Sequence, residues 1–552
     1  MTSPEMTDPS TRKPDDLPIR MDRGEISWRL SEACVGAVLP ADGQPPQGYL
    51  RDVGAATIKS GVHRTVSRIA HGGCVFFLKH YKRARWVGWC ADLVRGSKPT
   101  LEHQATVRMR ELGIATFEVV AVGHGRRGGM RGDSFLLTRE VSGAAQLDEF
   151  LKGVFPEYPA AEQSLLRRGI AVQLGELVAK LHAGGVLHAD LHAGNLLVRV
   201  DHALRVKLWM IDLHPLSHHR LLSVTQVERN LALLDHFFAL RVTRSDRQRF
   251  FLAYHRQLVA ASLSGEKSCV RVARMPAAEL ARELSAYCRR AIYGSWRQAD
   301  VKWMRESRRV MIVRQPGREG RAVSGFGRAQ LARMLAEPSA FESGAFIERT
   351  LWPYEIRTTR HARLRIDGEA RECRIVEITS ADVKERSQGR CRMGRARRCW
   401  EFGHALLRRG VDVERPLAMA EVEESGRLRQ FVVSERRQGM QTLVEAIGRL
   451  RVCVTRETAL AQTRHWAAEI ARRLDVIHES GYDLPDLSLD DFVIDGQNRI
   501  GIRLCVTETA ERWIRLPRRR RLQAVARFDA SQLGAFLADS ELRPSFERER
   551  AA

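Results

Sequence analysis

Apolar and polar positions change rhythm several times along the chain. From Ala55 to Lys82 they alternate, with β-branched residues frequent, and the turn His71-Gly72-Gly73 interrupts them, so the pattern predicts strands folded into a hairpin. Helical spacing follows from about Thr100 to Leu112 and ends at Gly113, a residue suited to the position after a helix. Phe117 to Gly123 reads as a strand, Arg126 to Gly132 as a basic glycine-rich turn, and Ser134 to Thr138 as another strand. Helices then dominate: Glu162 to His182, Val224 to Leu240 and Arg247 to Ala260 carry apolar residues at helical spacing. The exception lies between Leu187 and Asp212, where two short apolar runs, Leu196-Leu197-Val198 and Val206 to Ile211, flank a polar turn.

The order then recurs. Strand-like segments run from Ile356 to Ile378, a helix covers Arg395 to Arg409 with Gly410 behind it, and a strand covers Leu428 to Ser434. A long helix, Glu457 to His478, precedes a second short hairpin from Phe492 to Leu504. Such self-similarity predicts an internal duplication. The expected partition is a disordered tail over 1–24, a first domain over 25–310, a linker over 311–345 (Arg314 to Gly327 holds Pro316 and several glycines) and a second domain over 346–552.

Composition narrows the classes. A chain of 552 residues exceeds one ordinary core. The formal net charge of +24 faces an anionic partner: nucleic acid, a phosphorylated glycolipid or an acidic membrane surface, although no nucleic-acid recognition motif is present. The ten cysteines form no CxxC pair and no metal spacing, which fits reduced thiols in a cytoplasmic protein. The first twenty or so residues, rich in Pro, Ser, Thr and Asp, lack the apolar core of a secretion signal. No stretch approaches the roughly 18 apolar residues of a membrane span, so membrane contact would be peripheral.

The chemistry concentrates in Leu187-His188-Ala189-Asp190-Leu191-His192-Ala193-Gly194-Asn195-Leu196-Leu197-Val198, followed by Leu208-Trp209-Met210-Ile211-Asp212. Phosphoryl transfer from a nucleotide needs a carboxylate to orient the attacking hydroxyl and oxygen ligands to hold Mg²⁺ on the phosphates. Asp190 is the candidate for the first task, Asn195 and Asp212 for the second. The competing reading has Asp190 and Asn195 capping turns and Asp212 ending a strand. His188 is a candidate catalytic residue or a buried organiser of the loop. Upstream, Lys79 sits in the apolar strand Val75-Phe76-Phe77-Leu78-Lys79-His80-Tyr81, where it can reach nucleotide phosphates if a helix-borne carboxylate steadies it, and Glu102 is the natural partner. The phosphate loop is weakly marked. Lys59-Ser60-Gly61-Val62-His63-Arg64-Thr65 has one glycine, Gly61, where a full loop has three, and Lys59 or Arg64 could add charge.

A sheet lobe followed by a helical lobe, with these motifs at the junction, predicts an α+β, bilobal protein-kinase-like fold in two tandem copies. Ala189 stands where regulated protein kinases usually carry Arg, and Leu213-His214-Pro215 follows Asp212 in place of Phe-Gly, which disfavours a phosphorylation-switched protein kinase. Phe77-Leu78-Lys79-His80-Tyr81, Glu102 with Leu112-Gly113-Ile114-Ala115-Thr116, the loop from His188 to Asn195, Ile211-Asp212-Leu213 and Arg229-Asn230-Leu231-Ala232-Leu233 together resemble the lipopolysaccharide core heptose and Kdo kinase family, over about residues 50 to 260. That resemblance implies phosphorylation of an inner-core sugar with ATP and Mg²⁺ at the cytoplasmic face of the inner membrane. It also implies an ATP-binding role for Lys79 with Glu102, catalysis by Asp190, and metal ligation by Asn195 and Asp212. Aminoglycoside and choline phosphotransferases share the His-x-Asp-Leu-His-x-x-Asn core, but +24 would repel a cationic aminoglycoside.

The second half is expected to be a degenerate copy. Gly113 stands eleven positions after Glu102, as Gly410 does after Cys399, and the 23 positions from Lys79 to Glu102, counted back from Cys399, reach Val376 where a lysine would stand. In Leu484-Pro485-Asp486-Leu487-Ser488-Leu489-Asp490-Asp491, Asp486 remains, while Leu484 replaces His188 and Asp491 replaces Asn195. Both halves as non-catalytic binding scaffolds is the remaining alternative. The two domains of one chain are candidates for contact with each other.

Overall fold

The computed structural model describes residues 17–512 apart from 24, 32–54, 63, 72, 83–96, 128–129, 215, 266–267, 343, 353–354, 381–393, 425–426, 437–438, 454, 496–498, 505–506 and 508–509. The chain divides into two compact units, Met1–Arg290 and Ala291–Ala552. Each combines sheets and helices.

In the first unit, β1 (Ile19–Arg23), β2 (Ile26–Leu30), β3 (Ala56–Ser60), β4 (Arg64–His71), β5 (Cys74–Tyr81), β6 (Glu118–Arg127) and β7 (Met130–Arg139) form one sheet in the order β1-β2-β6-β7-β5-β4-β3. Strand alternation sorts the side chains of β5 to opposite faces. Phe76 and Leu78 join Trp28, Leu30, Ile69 and Phe135 in a core on one face. Tyr81 is buried on the other with Met109 of α1 (Lys98–Glu111), and Lys79, two residues before it, shares that side. The Ser97 hydroxyl caps the start of α1, accepting from Thr100 N, and Pro99 occupies its first turn, where a missing N–H removes no hydrogen bond. The buried stripe of α1 is Pro99, Glu102, Ala105, Thr106 and Met109, so a carboxylate lies in a line of core residues.

The helical part follows with α2 (Leu147–Lys152), α3 (Ala160–Ala183), α4 (Val224–Phe238), α5 (Arg244–Leu263) and α6 (Ala277–Lys302), within which the first unit ends at Arg290. Capping boxes start α4 (Ser223 with Gln226) and α5 (Thr243 with Asp246). Helices α3 and α5 pack closely because Gly175 has no side chain; a Cβ there would lie 2.5 Å from Phe250 O. Between α3 and α4 run the short strands β9 (Val186–His188), β10 (Leu196–Val200), β11 (Val206–Met210) and β12 (Leu216–His218). β10 lies between β11 and β8 (Ala145–Gln146), and β12 pairs with β9.

In the second unit, β13 (Val310–Gln315), β14 (Arg318–Val323), β15 (Ala345–Trp352), β16 (Glu355–Ile366), β17 (Glu369–Ser380), β18 (Pro416–Glu424) and β19 (Arg427–Glu435) form a sheet in the order β13-β14-β18-β19-β17-β16-β15. Its strands succeed one another across the sheet in the same sequence as those of the first. The helices are α7 (Arg328–Ala336), α8 (Arg395–Arg408), α9 (Leu443–Cys453) and α10 (Arg456–Glu479). β20 (Gln441–Thr442), β22 (Phe492–Ile494) and β23 (Ile500–Ile502) make a small sheet, and β21 (Tyr482–Asp483) pairs with β24 (Glu511–Arg512).

Three expected boundaries are corrected. The stretch 311–345 is not a linker: β13 and β14 form a hairpin in the second sheet, with Val310, Ala322, Leu331 and Leu335 in the core. Pro316 and Gly317 are its two turn residues, and Gly317 has φ +67°, a value that glycine adopts without strain. The tail ends earlier than residue 24, because Ile19 and Met21 alternate with charged residues in β1, which pairs along its length with β2. Residues 1–16 lie outside the described residues. The first unit closes at Arg290, not 310.

Candidate active site

Lys79 and Glu102 meet as the sequence predicts. The Lys79 ammonium forms an ion pair with Glu102 Oε1, and the Glu102 side chain is wholly buried. Tyr81, two residues on along the same strand face, donates its hydroxyl to Glu102 Oε2 at 2.8 Å. Burial and then the Glu102 charge push the Tyr81 hydroxyl up, so it stays protonated and serves as a donor. Lys79 Nζ also lies 5.1 Å from the centroid of the Phe117 ring. A buried carboxylate is tolerable when each oxygen has a partner, and Glu102 has one for each.

The Asp190 loop is built from its backbone outward. His188 is fully buried; its Nδ1 accepts from Asp190 N at 3.2 Å, and burial holds the ring below its ordinary pKa. Both features suit the organiser's role in the loop. Asn195 Nδ2 donates to Asp190 O at 2.8 Å and faces Asp190 Oδ2 at 3.4 Å. His192 Nδ1 accepts from Gly194 N at 3.0 Å, which leaves the proton on Nε2, 3.4 Å from Asp190 Oδ2. Ile211 N donates to Asn195 O at 2.9 Å, joining the loop to the strand that carries Asp212.

Asp212 has φ +56°, a left-handed backbone unusual for a residue with a side chain. Its Oδ1 lies 3.2 Å from His214 Nδ1 and 3.5 Å from an Arg64 guanidinium nitrogen. The His214 hydrogen bond, then the charges of Lys79 and Arg64, hold the carboxyl well below the ordinary range against the opposing effect of burial. Lys79, Glu102 and Asp212, distant in sequence, thus share one electrostatic environment. Gly61 does not join them directly; it is exposed at the β3–β4 turn, where its N–H donates to Arg64 O at 2.9 Å.

Sequence reasoning passed over several residues here. Arg64 was noted only as added charge, and Tyr81 only as part of a strand; their direct pairing across β4 and β5 was the available signal. Asn230, quoted in the Arg229-to-Leu233 motif but given no role there, donates its Nδ2 to His188 O at 2.7 Å, and its Oδ1 lies 3.0 Å from His182 Nε2. His182 Nδ1 in turn meets the Tyr254 hydroxyl at 2.8 Å. The traces of Asn230 in the sequence are that motif and a polar residue on the buried face of α4.

The second unit offers different groups at matching registers. Lys79 pairs with Leu136, and Leu136 with Val122; Val376 pairs with Val432, and Val432 with Met419. Leu196 pairs with Met210, and Phe492 with Ile502. Two residues past Met210 stands Asp212; two past Ile502 stands buried Leu504. Cys399 is wholly buried in α8. The Asp491 carboxylate accepts from Ser488 N at 2.9 Å and Ser488 Oγ at 2.8 Å, capping its own turn.

No group of three or more His, Cys, Asp or Glu able to hold a metal ion occurs among the described residues. Asp212, anionic, and Asn195, whose Nδ2 is committed to Asp190, leave one carboxylate and one amide oxygen, a set that suits a hard cation taking its other ligands from phosphates and water.

Residues 93–254 match the family described as Lipopolysaccharide kinase (Kdo/WaaP) family. The chain is 28% identical over 203 residues to Lipopolysaccharide core heptose(I) kinase WaaP of Pseudomonas aeruginosa, a match covering 35% of this chain and 74% of that protein. A solved structure described as WaaP in complex with acyl carrier protein is 22% identical, with a TM-score of 0.32, covering 45% of this chain and 93% of its own. The matched segment holds Glu102, the loop from His188 to Asn195, Asp212 and Asn230, and the chain is a kinase whose residues 93–254 match the lipopolysaccharide kinase (Kdo/WaaP) family.

Proposed function

We propose that the first unit transfers the γ-phosphoryl group of ATP to a sugar hydroxyl of a lipopolysaccharide-type glycolipid. One observation carries the phosphotransfer reading: Lys79, steadied by buried Glu102, acts on the Asp212 carboxylate, so a phosphate-binding cation and a metal-binding anion share one site. Asp190 accepts the hydroxyl proton as the acceptor oxygen bonds to the γ-phosphorus; the bond from phosphorus to the β–γ bridging oxygen breaks, and ADP leaves. Mg²⁺ held by Asp212 and Asn195 would neutralise the charge developing on the phosphates. His188, Asn195 and Asn230 hold the loop so that Asp190, with its side chain 64% exposed, faces an incoming substrate.

The acceptor class rests on the family match and on charge. A net charge of +24 draws the chain to a phosphorylated, acidic glycolipid at a membrane surface. No described helix is long and apolar enough to cross a membrane, and we place the enzyme peripherally on the cytoplasmic face of the inner membrane. The second unit is, in this reading, a tandem pseudokinase copy. Its matching strand order, with Val376, Cys399 and Leu504 at the registers of Lys79, Glu102 and Asp212, supports that assignment.

Labelled ATP should pass phosphate to lipopolysaccharide precursors in a Mg²⁺-dependent manner, and the Asp190→Ala chain should not. Transfer to aminoglycosides or choline with none to the glycolipid would replace the acceptor assignment by the soluble-substrate reading.

A further inference from the structure

We infer that Arg64 is a two-position cation: it neutralises Asp212 while the site is free of nucleotide and moves to the nucleotide's phosphates when Mg²⁺ takes that carboxylate. The inference rests on the ATP-binding reading above. It begins with a deficiency in the sequence. A phosphate loop of three glycines brings successive backbone N–H groups against the phosphates, whereas the β3–β4 turn has one glycine, and its N–H is already given to Arg64 O at 2.9 Å. Another donor must serve.

Arg64 is placed to do so. It is the first residue of β4, immediately after that turn, and its guanidinium reaches Asp212 Oδ1 at 3.5 Å. It stands directly across from Tyr81 on β5 and interacts with the Tyr81 side chain, which is itself fastened to Glu102. Arg64, Tyr81, Glu102 and Lys79 therefore form a continuous row from the hairpin to α1. Lys79 is committed to Glu102 through its ion pair. Arg64 holds Asp212 by a longer contact, with 27% of its side chain exposed, and carries donors beyond the one facing Asp212.

A divalent cation on Asp212 would meet the guanidinium at close range, and the two repel. The nearest compensation is the phosphate chain that arrives with the metal, to which a planar guanidinium binds with two parallel hydrogen bonds. Arg64 would thus supply the phosphate contact that the glycine-poor turn lacks.

The two positions have opposite signatures on substitution. In the full-length chain, Arg64→Gln should weaken ATP binding in Mg²⁺ by roughly ten- to a hundred-fold, the range for one charge-assisted contact. Adenosine binding, which has no phosphate, should be unchanged, and this also shows that the variant is folded. Mn²⁺ alone, followed by electron paramagnetic resonance, should bind Arg64→Gln several-fold more tightly because its competitor is gone. Arg64→Lys should recover part of the ATP affinity. Unchanged ATP affinity, equal losses for ATP and adenosine, or unchanged Mn²⁺ affinity would each overturn the inference. A wild-type chain that binds neither ATP nor adenosine would instead refute the underlying nucleotide assignment.

Discussion

His182 should make the first unit lose stability in mild acid. The ring is wholly buried, and burial lowers its pKa from 6.5 to about 4, opposed by the hydrogen bond to Asn230. Its partners fix one tautomer: the Tyr254 hydroxyl donates to Nδ1, and Nε2–H donates to Asn230 Oδ1. A proton added at Nδ1 would displace the Tyr254 donor. Between about pH 6.5 and pH 4 the unfolded chain binds this proton and the folded chain does not, so stability falls as pH drops through that window and the loss levels off below it. The full difference is about 3 kcal/mol, of which about 2 kcal/mol falls between pH 7.5 and pH 5. Urea denaturation at those two pH values, with pulsed hydrogen exchange read on peptides from 170–183, scores this unit alone. Other groups titrate in the same range, so the comparison is with His182→Gln, which can accept from Tyr254 and donate to Asn230 without titrating. The wild-type chain should lose about 2 kcal/mol more than the variant. Equal losses would refute the reasoning.

Asp190→Ala should lower kcat by about a thousand-fold or more while nucleotide affinity, measured by calorimetry, stays within a few-fold, because in the proposed mechanism the residue serves the acceptor and not the nucleotide. Asp212→Ala should abolish the enhancement of ATP binding by Mg²⁺, and an unchanged enhancement would remove the metal assignment. The chain should sediment with anionic vesicles at low salt and be released as the Debye length shrinks below about 8 Å. Substituting Arg518 to Arg521, outside the described residues, by Gln should weaken that binding, and equal binding to neutral vesicles would count against a membrane-facing acceptor.

The sequence disclosed those parts of the fold in which one residue type has one local meaning. Gly113 and Gly410 mark helix ends, with φ of +65° and +80°, and the helices expected before them are α1 and α8. Lys79 was conspicuous because a charge in an apolar strand needs a partner, and Glu102 supplies it. Pro316-Gly317 misled because the same pair suits a linker or a tight hairpin turn, and only the pairing of β14 with β18 decides between them. The Asn230 network was hidden for a different reason. Its members come from α3, α4, α5 and β9, and hydrogen bonds among residues so far apart leave no periodic trace. Arg64 shows the same limit, since its importance depends on where Asp212 sits and not on its own neighbours.

Whether the second unit is a degenerate copy can be tested through the energetics of one buried pair. Glu102 is wholly buried and stable because Lys79 and Tyr81 occupy its oxygens. At the corresponding registers the second unit has Cys399, also wholly buried, and Val376, so neither charge has to be desolvated. Cys399→Glu should therefore destabilise the second unit by about 3–5 kcal/mol, the usual effect of an uncompensated buried charge. Adding Val376→Lys should recover more than half of that loss if the two positions face each other as Lys79 and Glu102 do. Val376→Lys alone should destabilise the unit as well, so the signature is a favourable coupling of about 2 kcal/mol or more in the double-mutant cycle. Denaturation followed by hydrogen exchange on peptides from 396–408 would measure it. Additive losses would mean that β17 and α8 do not present these residues to each other, and the case for a tandem kinase-like copy would then fail at the position where the first unit builds its clamp.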